Sequence, residues 1–258
     1  MSTLGYIIIF TLLGSVVSLI GGILLFIREK AVYKVAHLLA SFAAGALLAT
    51  AFIDLLPEAF EAAEHSGSDV NIFTWVLLGF LFFFLIERFI YWFHHHHSPE
   101  EHQKDQAVVP LIIFGDSIHN FIDGVAIAAS FLVSVPLGIV TTFAVAAHEI
   151  PQEIGDFGVL LHKGLKKTKV LLINLLSSLA ALVGAILTYN LGEVVEGYLP
   201  VFLAITAGFF IYIAASDLIP EIHSGERKGA AYLETLTLFL GVAAVWIAIL
   251  LLEPLIAH

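Results

Sequence analysis

The chain contains no cysteine, which excludes disulfides and every thiolate-bound metal. Charge is scarce too. Asp, Glu, Lys and Arg make up 13% of the 258 residues, where a soluble domain carries about 25%. Eleven basic residues stand against 22 acidic ones, a net charge of −11, which argues against a nucleic-acid partner and suits cationic substrates. The N-terminus lacks a basic segment before its first apolar run and lacks a clear small-residue cleavage site. Residues 4–27 are therefore expected to be a retained span and not a signal peptide.

What is present is mostly hydrocarbon: 59% of residues are hydrophobic and the mean hydropathy is +0.97. That composition defines a membrane protein. A spanning helix needs about 20 apolar residues, and eight such runs are present, at 4–27, 33–56, 71–93, 108–134, 137–161, 169–190, 199–220 and 231–252. Eight spans place every basic residue (Arg28, Lys30, Lys34, Arg88, Lys104, Lys163, Lys166, Lys167, Lys169, Arg227 and Lys228) on one side. The opposite loops hold Glu58, Glu61, Glu64, Asp69, Glu193 and Glu196 and no Lys or Arg. By the positive-inside rule the basic side is cytoplasmic, so both termini lie outside, and a plasma (inner) membrane location is expected.

Two stretches repeat. "FIDLLPEA" ends the second run and "ASDLIPEI" ends the seventh, so D-L-[LI]-P-E occurs at Asp54–Glu58 and Asp217–Glu221. The first copy falls at the outer face and the second at the inner face. Opposed copies of this kind are the signature of a transporter built from inverted halves. Pairing spans 1–3 with 6–8 leaves spans 4 and 5 in the centre. The expected fold is an all-α polytopic membrane protein, a single domain over 1–258, in a 3+2+3 arrangement.

The central spans carry the chemistry. Span 4 holds Asp116, His119, Asn120 and Asp123, the last three on one helical face by their i,i+3 and i,i+4 spacing. Span 5 reads "HEIPQEIGDF", with His148, Glu149, Gln152, Glu153 and Asp156. Both polar faces fall near mid-depth. A charge there costs at least ~2.5–3.5 kcal/mol, and neither span offers a Lys or Arg as counter-ion. A bound cation answers both problems, and imidazole with carboxylate and amide oxygens suits Zn²⁺, Fe²⁺, Mn²⁺ or Cd²⁺. A proton relay through the same carboxylates is the other reading. Pro151 removes a donor to the carbonyl of Ala147 and should kink span 5.

"HNFIDGVAIAASF" and "HEIPQEIGDFGVLL" resemble the fourth- and fifth-helix motifs of the ZIP (Zrt/Irt-like protein) family of divalent-metal transporters. The second is similar to the HExPHExGD motif of one large subfamily. The resemblance implies a binuclear centre between helices 4 and 5, with His119, Asp123 and His148 at one metal and Gln152 nearby. Asn120, Asp123 and Glu149, with Gln152 or Glu153, would line the second. It implies inward metal transport by an elevator-like step, Zn²⁺ first among the ions, with the metal as substrate and no cofactor required. Asp116, Asp156, Ser177, Asp217, Glu221 and His223 are candidates for the metal's path. A cytoplasmic loop at 94–107, with His94, His95, His96, His97 and His102, is a candidate for loose metal binding. Partners are then divalent cations and the lipid bilayer, with a homodimer as a candidate assembly. Two departures stand out: Gln152 replaces a histidine, and Ser177 stands where some members place a metal-binding glutamate.

Enzymatic readings are weaker. Gln152 breaks the H-E-x-x-H pattern of zinc proteases, and the spans lack the Glu-x-x-His of di-metal oxidases. The intramembrane di-metal enzyme and the proton-coupled metal exporter remain as alternatives.

Overall fold

Without water to satisfy them, backbone N–H and C=O groups in a bilayer must pair within their own segment, so long apolar runs fold as helices. The computed structural model is described over residues 1–96, 101–162, 164–224 and 231–252, and side chains outside 28–34, 90–112, 162–163, 193–194, 196, 221 and 223–230. Throughout these residues the regular structure is helical. The elements are α1 (Thr3–Val16), α2 (Leu19–Ala49), α3 (Leu56–Ser66), α4 (Ile72–His96), α5 (Glu101–Val133), α6 (Val135–His162), α7 (Lys167–Asn190), α8 (Gly192–Gly197), α9 (Leu199–Tyr212), α10 (Ile219–Ser224) and α11 (Ala231–Leu252). α2 runs as helix through residues 28–32, where the sequence suggests a connector.

Six stretches among the described residues are long and apolar enough to cross a membrane: Thr3–Ile27, Val35–Ser66, Ile72–Phe89, Lys167–Asn190, Leu199–Leu218 and Ala231–Leu252. α5 and α6 match them in length but carry the polar residues of the fourth and fifth runs. α6 continues as helix through Pro151.

The repeated D-L-x-P-E has a physical counterpart. Thr50–Leu55 and Ile213–Leu218 are both π-helical turns, and Asp54 and Asp217 each occupy the fifth position. Pro57 and Pro220 cannot donate to the carbonyls four residues back. The chain shifts to five-residue spacing instead: Leu56 N–H reaches the Ala51 carbonyl and Ile219 N–H reaches that of Ala214. π turns of this kind commonly mark functional positions in helices.

Close packing follows the same pairing. A Cβ at Gly45 of α2 would lie 2.0 Å from the Leu238 carbonyl oxygen of α11, and one at Gly208 of α9 would lie 2.3 Å from that of Val76 on α4. Reciprocally, Gly241 faces the carbonyl of Phe42 and Gly79 that of Ile205. α5 and α7 meet more tightly still, with Gly124 against the Ala181 carbonyl at 1.8 Å and Gly184 against that of Phe121 at 2.2 Å. Small residues thus set the helix spacing, as lipid-embedded packing requires. Gly124→Ala should wedge α5 from α7 and destabilise by about 1–3 kcal/mol. An unchanged thermal midpoint in detergent would contradict so tight a contact.

A single residue, Ser134, joins α5 to α6, and its hydroxyl caps α6 by accepting from Leu137 N–H at 3.2 Å. Below it, Thr141 Oγ1 donates to Ser130 Oγ at 2.9 Å. This hairpin sets the depth of the central chemistry. His119 lies fifteen residues before Ser134 and His148 fourteen after it, so at about 1.5 Å rise per residue the two rings arrive level.

Candidate metal centre

His148 is almost fully buried, and its Nδ1 lies 3.1 Å from the Ala144 carbonyl oxygen one turn back. A carbonyl only accepts, so Nδ1 carries a proton and Nε2 is the nitrogen left to offer a lone pair to a metal. That lone pair faces His119 Nε2 at 3.1 Å and Asp123 Oδ2 at 3.2 Å. His119 Nε2 in turn lies 3.6 Å from Asp123 Oδ2 and 3.5 Å from Glu149 Oε1. One ligand atom from each of His119, Asp123, His148 and Glu149 falls within 4.8 Å of the others. Four ligands placed tetrahedrally about Zn²⁺ at 2.0–2.2 Å would be about 3.4 Å apart, and the four measured separations of 3.1–3.6 Å bracket that value.

Around the His119–His148 contact the cage gathers oxygens that find no donor. Asn120 Oδ1, Asp123 Oδ2 and both carboxylate oxygens of Glu149 and of Glu153 are buried and receive no hydrogen bond. Lone pairs facing one another in a low-dielectric interior are costly unless a cation sits among them. Donor chemistry agrees with the geometry: two imidazoles and carboxylates form a borderline set suited to divalent transition metals.

Aromatic rings close the cage. Phe83 stands edge-on to His119 at 5.4 Å between centroids, and Phe210 lies 6.2 Å from His148. Phe83 is buried, while its sequence neighbours Phe82 and Phe84 are exposed. Nothing in its spacing separates it from Phe82 or Phe84; only the packing does.

The remaining expected residues divide by position. Asp116 is buried beside the cage and bonded to Ser177 and Asn120. A cavity of about 330 Å³ leads from His119, His148 and Gln152 to Asp156, Asp217 and Glu87. Glu87, next to Arg88 in sequence, accepts a hydrogen bond from the Tyr212 hydroxyl. A second cavity of about 410 Å³ is lined by Asp54, Glu58, Glu61 and Ser134 and touches none of the four cage residues. His94, His95, His96, His97, His102, Glu221 and His223 lie outside the residues whose side chains are described.

Apolar helices of spanning length around a buried cluster of imidazoles and carboxylates define a polytopic membrane protein whose interior could hold a metal ion. The ZIP zinc transporter family model matches residues 2–110 and 104–248, nearly the whole sequence. The chain belongs to the ZIP zinc transporter family. It is 28% identical to the zinc transporter ZIP13 homolog of Drosophila melanogaster over 95% of this chain and 90% of that protein. Zinc transporter ZIP13 of Pongo abelii is 33% identical over 80% of this chain and 65% of that protein. Zinc transporter ZIP10 of Danio rerio is 38% identical over 50% of this chain. The chain spans only 14–21% of the length of the ZIP10, ZIP4 and ZIP6 relatives it matches.

Proposed function

We propose that this protein carries divalent transition-metal cations across a membrane, Zn²⁺ foremost, with Fe²⁺, Mn²⁺ and Cd²⁺ as further substrates. The observation that carries this reading is the convergence of His119, Asp123, His148 and Glu149 on one buried point with no basic residue to balance them. The metal is substrate, bound transiently in the cage, and no cofactor is needed. His119, His148, Asp123 and Glu149 hold it; Asn120, Gln152 and Glu153 supply oxygens for a second position alongside.

Transport fits better than catalysis because the cage opens onto a cavity leading to further acidic side chains. Asp156 and Asp217 line it, offering successive weak ligands along a path. Eight spans in a 3+2+3 arrangement, both termini outside, make that cavity cytoplasmic and the cavity at Asp54 and Glu58 external. The conformation is then inward-open. The two π turns at Asp54 and Asp217 are matched joints about which opposed halves exchange access, an elevator-type movement that carries metal inward.

The test is flux. Purified protein in liposomes should take up Zn²⁺ or Cd²⁺ down an imposed gradient, reported by a trapped fluorescent chelator. Uptake no faster than in protein-free liposomes would refute the proposal.

A further inference from the structure

Asp116 is not one of the four groups that converge on the metal position, yet side-chain donors from two helices converge on it. Ser177 Oγ, from α7, donates to Oδ2. Asn120 Nδ2, one turn along α5, donates to Oδ1 at 2.9 Å and also to the Asp116 main-chain carbonyl at 3.1 Å. Asp116 is 7% exposed and Asn120 is 0% exposed, so solvent does not compete for these bonds.

An amide has two faces of opposite polarity, an acceptor oxygen and a donor NH₂, exchanged by a half-turn. At a cation site that half-turn decides the sign of the interaction: the oxygen binds the ion and the NH₂ repels it. An ionised carboxylate accepts only, so any amide turned towards it must present its NH₂. Both N–H groups of Asn120 are committed to Asp116 in this way. Its Oδ1 is left pointing away, buried and without a donor.

We propose that Asp116 is a positioning residue whose carboxylate, steadied by Ser177, fixes the Asn120 amide with its oxygen towards the metal. The role rests on the metal-site reading above. It gives Ser177, a weak ligand itself, a part in the site: its hydroxyl holds the carboxylate that orients Asn120. It also accounts for a fourth acidic group beside a cage that already has an excess of acceptors.

Zn²⁺ affinity of the detergent-purified full chain, by competition with a chelator, tests this beside the thermal midpoint of the metal-free protein. Asp116→Asn, nearly isosteric, should weaken Zn²⁺ binding roughly 10–100-fold, the range for loss of an outer-shell partner. The same change in an Asn120→Asp background should cost much less, because a carboxylate presents oxygen on either side. If Asp116 only staples α5 to α7, Asp116→Asn lowers the midpoint and leaves affinity unchanged, or weakens binding equally in both backgrounds; either result overturns the proposal. If the parent and His148→Ala bind Zn²⁺ equally, the metal site itself falls, and this role with it.

Discussion

Asp123→Ala should abolish Zn²⁺ and Cd²⁺ flux. Among the described residues Asp123 is the one carboxylate in contact with both imidazoles, its Oδ2 lying 3.2 Å from His148 Nε2 and 3.6 Å from His119 Nε2. With Zn²⁺ in the cage, removing a buried carboxylate partner of its charge should cost about 3–5 kcal/mol, a fall of roughly a hundred- to several-thousand-fold in the population of the loaded state. His148→Ala should be comparably severe, since it deletes the ring whose lone pair the Ala144 carbonyl orients. Asp123→Asn separates charge from shape, and because a neutral amide is the weaker ligand it should fall near the alanine variant. Flux at the parent rate in any of these three would place the transported ion elsewhere.

Glu149→Gln should move stability in opposite directions with and without metal. In the metal-free protein both Glu149 oxygens are buried and receive no hydrogen bond, and Oε1 faces His119 Nε2 at 3.5 Å. A glutamine of the same shape replaces one of these acceptors with a donor that the neighbouring lone pairs can use, so the metal-free midpoint should rise. Metal reverses the order. A ligand present at 1,000 times its dissociation constant stabilises the folded state by about 4 kcal/mol, and that increment should largely vanish in the variant. A variant that is less stable without metal, or that keeps the full Zn²⁺-dependent shift, would contradict the account of the cage as acceptors awaiting a cation.

Much of this architecture was legible because membrane solvation leaves a chain few choices. Apolar length predicts helices, and the crowding of His and acidic residues in two otherwise apolar runs predicts a buried polar cluster. His119 and Asp123 share a face by spacing alone, and the near-equal distances of His119 and His148 from Ser134 bring the two faces level. The D-L-x-P-E repeat was readable as a pattern, whereas its conversion into paired π turns depends on how each helix absorbs the donor lost at Pro57 and Pro220.

Other features are tertiary and leave little trace in one sequence. Phe83 becomes a wall of the cage only because α4 presents that ring to His119. Glu87 finds Tyr212 across 125 positions of chain, and no local rule favours that partner over Arg88. Asp116 was visible as an acidic residue in a span, one more candidate on the metal's path. Its contacts with Ser177, 61 positions away, and with the Asn120 amide are what single it out from that path.

The most direct test of the central claim is to locate the transported ion. Crystals or grids of the protein equilibrated with Zn²⁺ or Cd²⁺ should show metal density, identified for crystals by anomalous scattering, bounded by the Nε2 atoms of His119 and His148, Asp123 Oδ2 and Glu149 Oε1, with ligand distances near 2.0–2.2 Å for zinc. Metal found only at surface acidic groups, with this cage empty at saturating Zn²⁺, would contradict the account.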